Sequence, residues 1–222
     1  MKTSHKIIKF FNNLVPASVP GKIEILDPYG NEEVHLIIKS FYKKYFNDSK
    51  RRILIFGINP GRFGGGLTGI PFTDPYNLKK NCGINSSFPK KKEMSSKFIY
   101  EMILSFGDIK SFYKKFFISS ICPYGFVRNG KNLNYYDDPD LTKKWKSDII
   151  KWIDFQIKNL SIRDYCIVIG KGKNQKFFEI INKEYKFFKK IIVLPHPRWI
   201  LQYRSKDKNT YISEYVNKLK NL

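Results

Sequence analysis

Four short apolar runs rich in β-branched and aromatic residues, 52–56, 116–121, 165–169 and 191–194, alternate with stretches whose apolar residues recur every three or four positions. The intervening stretches, 33–46, 95–106, 141–160, 174–181 and 209–219, have helix length and helix period. Strands without polar alternation are buried on both faces, and strands alternating with helices form a parallel sheet. The pattern therefore predicts an α/β fold, a three-layer α/β/α sandwich around a central four-stranded parallel sheet. At 222 residues the chain suits one domain, 1–222, with 1–50 as a helical extension packed on it. Segments 79–92 and 206–209 read as solvated loops.

In such a sheet the ligand lies beyond the carboxyl ends of the strands, where loops leave for the helices. All the unusual segments fall there: GINPGRFGGG after the first run, CPYGF after the second, GKGKN after the third and PHPRW after the fourth. Four loops are thus expected to converge on one site.

The first loop holds Gly57, Gly61, Gly64, Gly65, Gly66 and Gly69 with Pro60 and Pro71, a density that implies tight turns and close approach to a ligand. It lacks the Lys-Ser/Thr ending of a P-loop and the spacing of a dinucleotide-binding turn, so a phosphate-handling enzyme is disfavoured. Asn59, at a strand end, offers an uncharged amide for a water or a base edge, and Phe63 offers a ring for stacking. Taken alone, the loop is better served by Asn59 as a turn residue before Pro60 and Phe63 as a core aromatic. In the fourth loop His196 stands between Pro195 and Pro197, a restricted backbone that suits a preset donor. Trp199, Ile200, Leu201, Tyr203 and Arg204 then follow as bulky and cationic groups, or as a hydrophobic loop packing on the last helix.

The formal net charge is +22, from 41 Lys and Arg against 19 Asp and Glu. It attracts polyanions such as nucleic acid, although an A- and T-rich genome would also enrich Lys, Asn, Ile, Phe and Tyr, all abundant here. Cys82, Cys122 and Cys166 are too scattered for a disulfide framework or a metal site and read as buried small hydrophobes, so no metal and no cofactor are expected. No apolar run nears the roughly 20 residues that span a bilayer, and the N-terminus lacks a small-residue cleavage site. The expectation is a cytoplasmic protein without membrane attachment.

Together, NPGRFGGGLTGIPF after the first strand and HPR after the last resemble the two signature motifs of the uracil-DNA glycosylase superfamily. The similarity is to the single-strand-selective monofunctional enzymes, in particular their bacterial second subgroup. Gly57, Asn59, Pro60, Gly61, Phe63, Gly64, Thr68, Gly69, Pro71 and Phe72 match that branch in register. Glu93-Met94-Ser95, Cys122-Pro123 and Asn132-Leu133 match further segments, and the likeness spans about 51 to 204.

The resemblance implies roles. Asn59 would position the attacking water, Phe63 would stack on the extruded base, and His196 would donate to the base oxygen that gains charge. Gly57, Ile58, Pro60, Gly61, Gly64, Thr68 and Ser120 would line the substrate site, while Arg198, Trp199, Tyr203 and Arg204 would engage DNA, with 198–204 wedged into the duplex. Where animal-type enzymes place an Asn two residues before Cys-Pro, this chain has Ser120, which leaves uracil and other deaminated bases such as xanthine and hypoxanthine open. Asp74 and Glu93 are candidate carboxylate bases. No Lys is placed for a Schiff base, so the expected enzyme is monofunctional and leaves an abasic site. Its expected partner is DNA, single-stranded or mismatched and uracil-containing, since such bases flip most cheaply, with no obligate protein partner. A binding module without chemistry is the alternative from another class.

Overall fold

The computed structural model describes residues 1–162 and 164–222. In chain order the elements are α1 (Thr3–Asn12), β1 (Ile23–Leu26), α2 (Glu32–Tyr45), β2 (Ile53–Gly57), α3 (Gly65–Thr68), α4 (Pro75–Lys80), α5 (Met94–Phe106), α6 (Ile109–Lys115), β3 (Phe116–Ser120), β4 (Gly125–Arg128) and β5 (Lys131–Leu133). They continue with α7 (Pro139–Leu160), β6 (Tyr165–Ile169), α8 (Lys173–Tyr185), β7 (Lys190–Leu194), α9 (Pro197–Tyr203), a 3-10 turn at Ser205–Asp207, and α10 (Lys208–Lys220).

The four expected strands form one parallel sheet in the order β3-β2-β6-β7. The apolar runs explain why: β2 and β3 are buried at every position, so both faces need covers. Side-chain alternation divides the covers. Ile55, Ile118, Ile169 and Leu194 meet Ile99 and Met102 of α5 and Tyr215 and Leu219 of α10. Opposite them, Phe117 packs on Tyr42 and Phe46, within and just after α2, and Phe56 packs on Phe178 of α8. One hydrophobic cluster runs through the described residues. Because β2 lies between β3 and β6, the chain reverses its winding direction at the carboxyl end of β2, which is where such sheets open a crevice.

The fold departs from the sequence expectation at three places. Residues 1–50 are not only helical: α1 and α2 flank β1, and Ile7, Phe10, Phe11, Ile23 and Ile38 belong to the core cluster. β1 pairs with the hairpin β4–β5 in a second, antiparallel sheet. Segments read as loops are partly helical, since Lys79 and Lys80 end α4, and 206–209 covers most of the 3-10 turn and the start of α10.

Helix starts are specified by the chain. Asp74, Asp108 and Asp138 accept backbone N–H groups of the first turns of α4, α6 and α7, and Pro75 and Pro139 stand where a missing N–H costs nothing. The same grammar fixes α9: His196 is its N-cap and Pro197 its first residue.

Candidate active site

A cavity of about 260 Å³ opens at the carboxyl ends of β2 and β3. It falls just below the roughly 300–1,000 Å³ typical of sites for drug-sized ligands, a size for one small planar ring. The first loop supplies Ile58, Asn59, Pro60, Gly61, Gly65, Pro71 and Phe72, β3 supplies Ser120, and the β5 strand and its exit supply Asn132 and Asn134. Glu93 and Ser95 come from the start of α5, His196 from the turn after β7, and Arg198, Trp199, Gln202 and Tyr203 from α9.

Asn59 is held by the β4–β5 hairpin. Its Nδ2 donates to the carbonyls of Leu133 (3.3 Å) and Pro60 (3.4 Å), and its Oδ1 accepts from the Tyr135 N–H at 3.2 Å. These partners fix which end of the amide is oxygen and spend both N–H hydrogens, leaving an Oδ1 lone pair to accept from a water. The third loop, expected in the cavity wall, acts at one remove instead. Asn174 donates to the Ile169 carbonyl (3.0 Å) and accepts from the Tyr135 hydroxyl (2.9 Å), so β6 is tied through Tyr135 to Asn59. Both Asn174 and Tyr135 are fully buried. Replacing Asn174 with Ala is therefore expected to leave the hydroxyl unpaired and cost about 1–3 kcal/mol, read as a lower urea midpoint with the slope unchanged.

His196 reaches the cavity from the other side. Its Nδ1 accepts from the Arg198 N–H at 3.1 Å as the cap of α9, and the Tyr215 hydroxyl donates to the neighbouring Pro195 carbonyl. Burial, with the Arg198 charge adding to it, pushes the imidazole pKa down to about 4. A neutral ring whose Nδ1 is an acceptor carries its proton on Nε2, so His196 is a preset hydrogen-bond donor.

Phe72 supplies the ring beside it, with centroids 5.9 Å apart. Its φ of 54° is in the left-handed region, which costs a bulky residue of order 1–3 kcal/mol and recurs at functional sites. Gly57 makes room: a Cβ there would come within 2.6 Å of the Phe72 ring. Ser120 is buried beside Gly57 in the strand register, and its hydroxyl has no protein partner among the described residues.

Several expected site residues lie elsewhere. Phe63 is outside the cavity, 40% exposed, with Lys91 Nζ 4.5 Å and Arg62 Cζ 5.2 Å from its ring centre. The first-loop aromatic that lines the cavity is Phe72, thirteen residues after Asn59, because the loop turns outward at Arg62–Phe63 and returns through α3. Thr68 is wholly buried and its hydroxyl donates to the Thr73 carbonyl (2.6 Å), closing the turn before Phe72 rather than meeting a ligand. Gly57 and Gly64 lie behind the cavity wall against Phe72 and Glu93, and Arg204 is exposed beyond its mouth. Residues 198–203 lie within a short helix, not a loop. Asp74 is buried and faces away from the cavity. Its Oδ1 accepts the Asn77 N–H and side-chain amide, and its Oδ2 accepts the Glu93 N–H at 2.7 Å. Glu93 is the candidate carboxylate that reaches the cavity. All three cysteines are buried, as read.

Residues 43–220 match the family model described as the uracil DNA glycosylase superfamily. The chain belongs to that superfamily. Among solved structures, it is similar to that of wild-type Pedobacter heparinus SMUG2 at 46% identity and a TM-score of 0.96, covering 100% of this chain and 98% of that one. This agrees with the single-strand-selective monofunctional branch to which the two loop motifs point. Superfamily membership makes the chain a glycosylase hydrolase acting on DNA, which removes the reading as a binding module without chemistry. No helix among the described residues is long and apolar enough to cross a membrane.

Proposed function

We propose that this glycosylase hydrolyses the N-glycosidic bond of uracil in DNA and leaves an abasic site for base excision repair. The observation that carries the reading is the placement of Asn59 and a neutral, Nε2-protonated His196 around one ring-sized cavity beside Phe72. Bond cleavage leaves an oxocarbenium-like sugar and an anionic base, so water must be held near the sugar carbon and a donor near the base oxygen. Asn59 Oδ1 accepts a hydrogen from the water and turns its lone pair toward the sugar. His196 Nε2 donates to the base oxygen, and the Phe72 ring stacks on the base in the role first given to Phe63. Arg198, Trp199 and Tyr203 at the cavity mouth hold the strand around the flipped nucleotide, and Arg204 meets the backbone farther out.

Flipping costs a few kcal/mol and least for an unpaired or mispaired base, so single-stranded and mismatched DNA are the preferred substrates. The enzyme acts without an obligate protein partner, and its proposed location is the cytoplasm. A second reading within the same class follows from Ser120. A hydroxyl can both donate and accept, so it tolerates the edges of xanthine and hypoxanthine that a fixed amide would discriminate.

The test is release of base from single-stranded and mismatched oligonucleotides bearing uracil, xanthine, hypoxanthine or hydroxymethyluracil. Uracil is expected to leave fastest, and Ser120→Ala is expected to change the uracil-to-xanthine rate ratio about fivefold, the worth of one neutral hydrogen bond. Faster release of a purine than of uracil would transfer the assignment to the second reading. Release of none of the four would end both.

A further inference from the structure

Glu93 is the only acidic residue among the described residues that line the cavity, and its carboxyl group makes no hydrogen bond or ion pair with the described residues. It stands at the N-cap position of α5, where a carboxylate would ordinarily accept N–H groups of the first turn, yet it makes no such bond. Its backbone is pinned instead, by the N–H donated to Asp74. The side chain turns into the first loop, where Cβ atoms on Gly61 and Gly64 would lie 2.6 and 1.8 Å from its oxygens. Two glycines of the loop thus leave the space that the carboxyl group fills, in the wall of the cavity that Asn59 also lines. A capping task left undone, and an unpaired acid in a site built for a polyanion, call for a chemical reason.

Asn59 cannot supply what remains to be done. An amide orients water but takes no proton, and water adding to the sugar carbon must lose one. We propose that Glu93 is the general base of this hydrolysis, accepting a proton from the water that Asn59 orients. This inference rests on the glycosidase reading above. In the step, the water oxygen bonds to the sugar C1′ as the C1′–N bond breaks. The bonding pair leaves with the base, whose anion His196 stabilises by hydrogen bonding. The water proton passes to the Glu93 carboxylate, which later releases it to solvent.

The charged groups facing Glu93 set its readiness. Burial foremost, then the Asp74 carboxylate behind it, push its pKa up to about 7, against the opposing pull of Arg198 from α9. His196 titrates near 4 and stays out of that range. A base poised near the working pH transfers protons most effectively.

The experiment is a single-turnover pH profile of uracil release from single-stranded oligonucleotide, for wild-type, Glu93→Gln, Glu93→Asp and Glu93→Ala proteins. The wild-type rate is expected to rise through pH 7 and level off above it. Glu93→Gln should be about 10²-fold slower at pH 8, the low end of general-base contributions, and flat from pH 6 to 8.5. Glu93→Asp should keep a rising limb, and formate should restore part of the Glu93→Ala rate. A wild-type rate in Glu93→Gln, or a slowed variant that keeps the rising limb near pH 7 and is not rescued in Glu93→Ala by formate, would overturn the proposal while leaving the function standing. If the wild-type protein releases no base at all, the functional reading falls first and this one with it.

Discussion

Asn59→Ala is expected to lower single-turnover base release by about 10²-fold or more, with little change in DNA binding. In its proposed role the amide holds water and touches no phosphate, so its loss falls on the chemical step. Misplacing a reactant by about 1 Å is worth roughly 10² in rate, and deletion of the amide removes its anchor altogether. The geometry also predicts where else the cost appears. In Ala the three partners of the amide, the Tyr135 N–H and the Leu133 and Pro60 carbonyls, face the cavity, where water can take the place of the amide, so the loss is about 1 kcal/mol. A melting curve should therefore shift slightly while the rate collapses. Asn174→Ala is the converse case, since Asn174 lies outside the cavity wall and supports Asn59 only through Tyr135. Its stability should fall more and its rate less. Equal loss of rate in the two variants would mean that Asn59 acts as a structural link and not as the holder of water.

How much of this could be read from the chain depends on how local the signal was. The four sheet strands are continuous apolar runs, and burial on both faces makes such runs visible without knowing their partners. Asn59 and His196 were visible because Pro and Gly mark the loops that carry them, and Pro197 also marks the start of α9. The β4–β5 hairpin was not found, although Arg128-Asn129-Gly130-Lys131 holds the Asn-Gly pair that favours a two-residue turn. Its strands have four and three residues, too short for an alternation to stand out. Asn129 and Gly130 have φ of 51° and 69°, as such a turn demands. Missing the hairpin hid the wall that carries Asn132 and Asn134 and the carbonyl and N–H that orient Asn59.

Phe63 and Phe72 show a second limit. Both follow Asn59 in one glycine-rich segment, and nothing in residue type tells which ring faces inward. The decision is tertiary. α3 ends at Gly69 in the left-handed conformation, with φ of 70°, close under Val34 and Ile38 of α2, and the buried Thr68 hydroxyl ties the next turn to Thr73. These contacts bring the chain back over β2, and the bare Gly57 receives the Phe72 ring. The resemblance placed the right segment at the site, and packing against α2 chose the ring. Asp74 and Glu93 separate for a similar reason: Asp74 precedes Pro75 and is consumed as a cap, which leaves Glu93 for the cavity.

His196→Asn is expected to slow base release about 10²–10³-fold, the loss seen when one preset donor to a developing oxyanion is removed. Asn is the informative replacement because His196 caps a helix besides its proposed role as donor. Its Nδ1 caps α9, and Ala there would cost about 0.5–2 kcal/mol, mixing instability with lost chemistry. Asn can accept the Arg198 N–H in the same way, while its short amide falls short of the base. The variant should thus melt near the wild type at pH 7.5 and still be slow. At lower pH the two proteins should diverge in the opposite direction. The His196 pKa falls from about 6.5 in the unfolded chain to about 4 in the fold, so between those values the unfolded chain binds more protons. The stability that a neutral His196 contributes is complete above about pH 6.5 and is lost as pH falls toward 4. Fully expressed, a shift of that size corresponds to about 3 kcal/mol, and residual solvent at the half-buried ring reduces it. His196→Asn carries no such penalty and should gain on the wild type between pH 6.5 and 4 in urea titrations. Glu93 titrates with the opposite slope, its raised pKa favouring the fold at low pH, but it is common to both proteins and cancels in their difference. Parallel stability curves for the two proteins across that range would show that the imidazole is not held neutral, and a donor that must shed solvent before each turnover would not supply the preset stabilisation assigned to it.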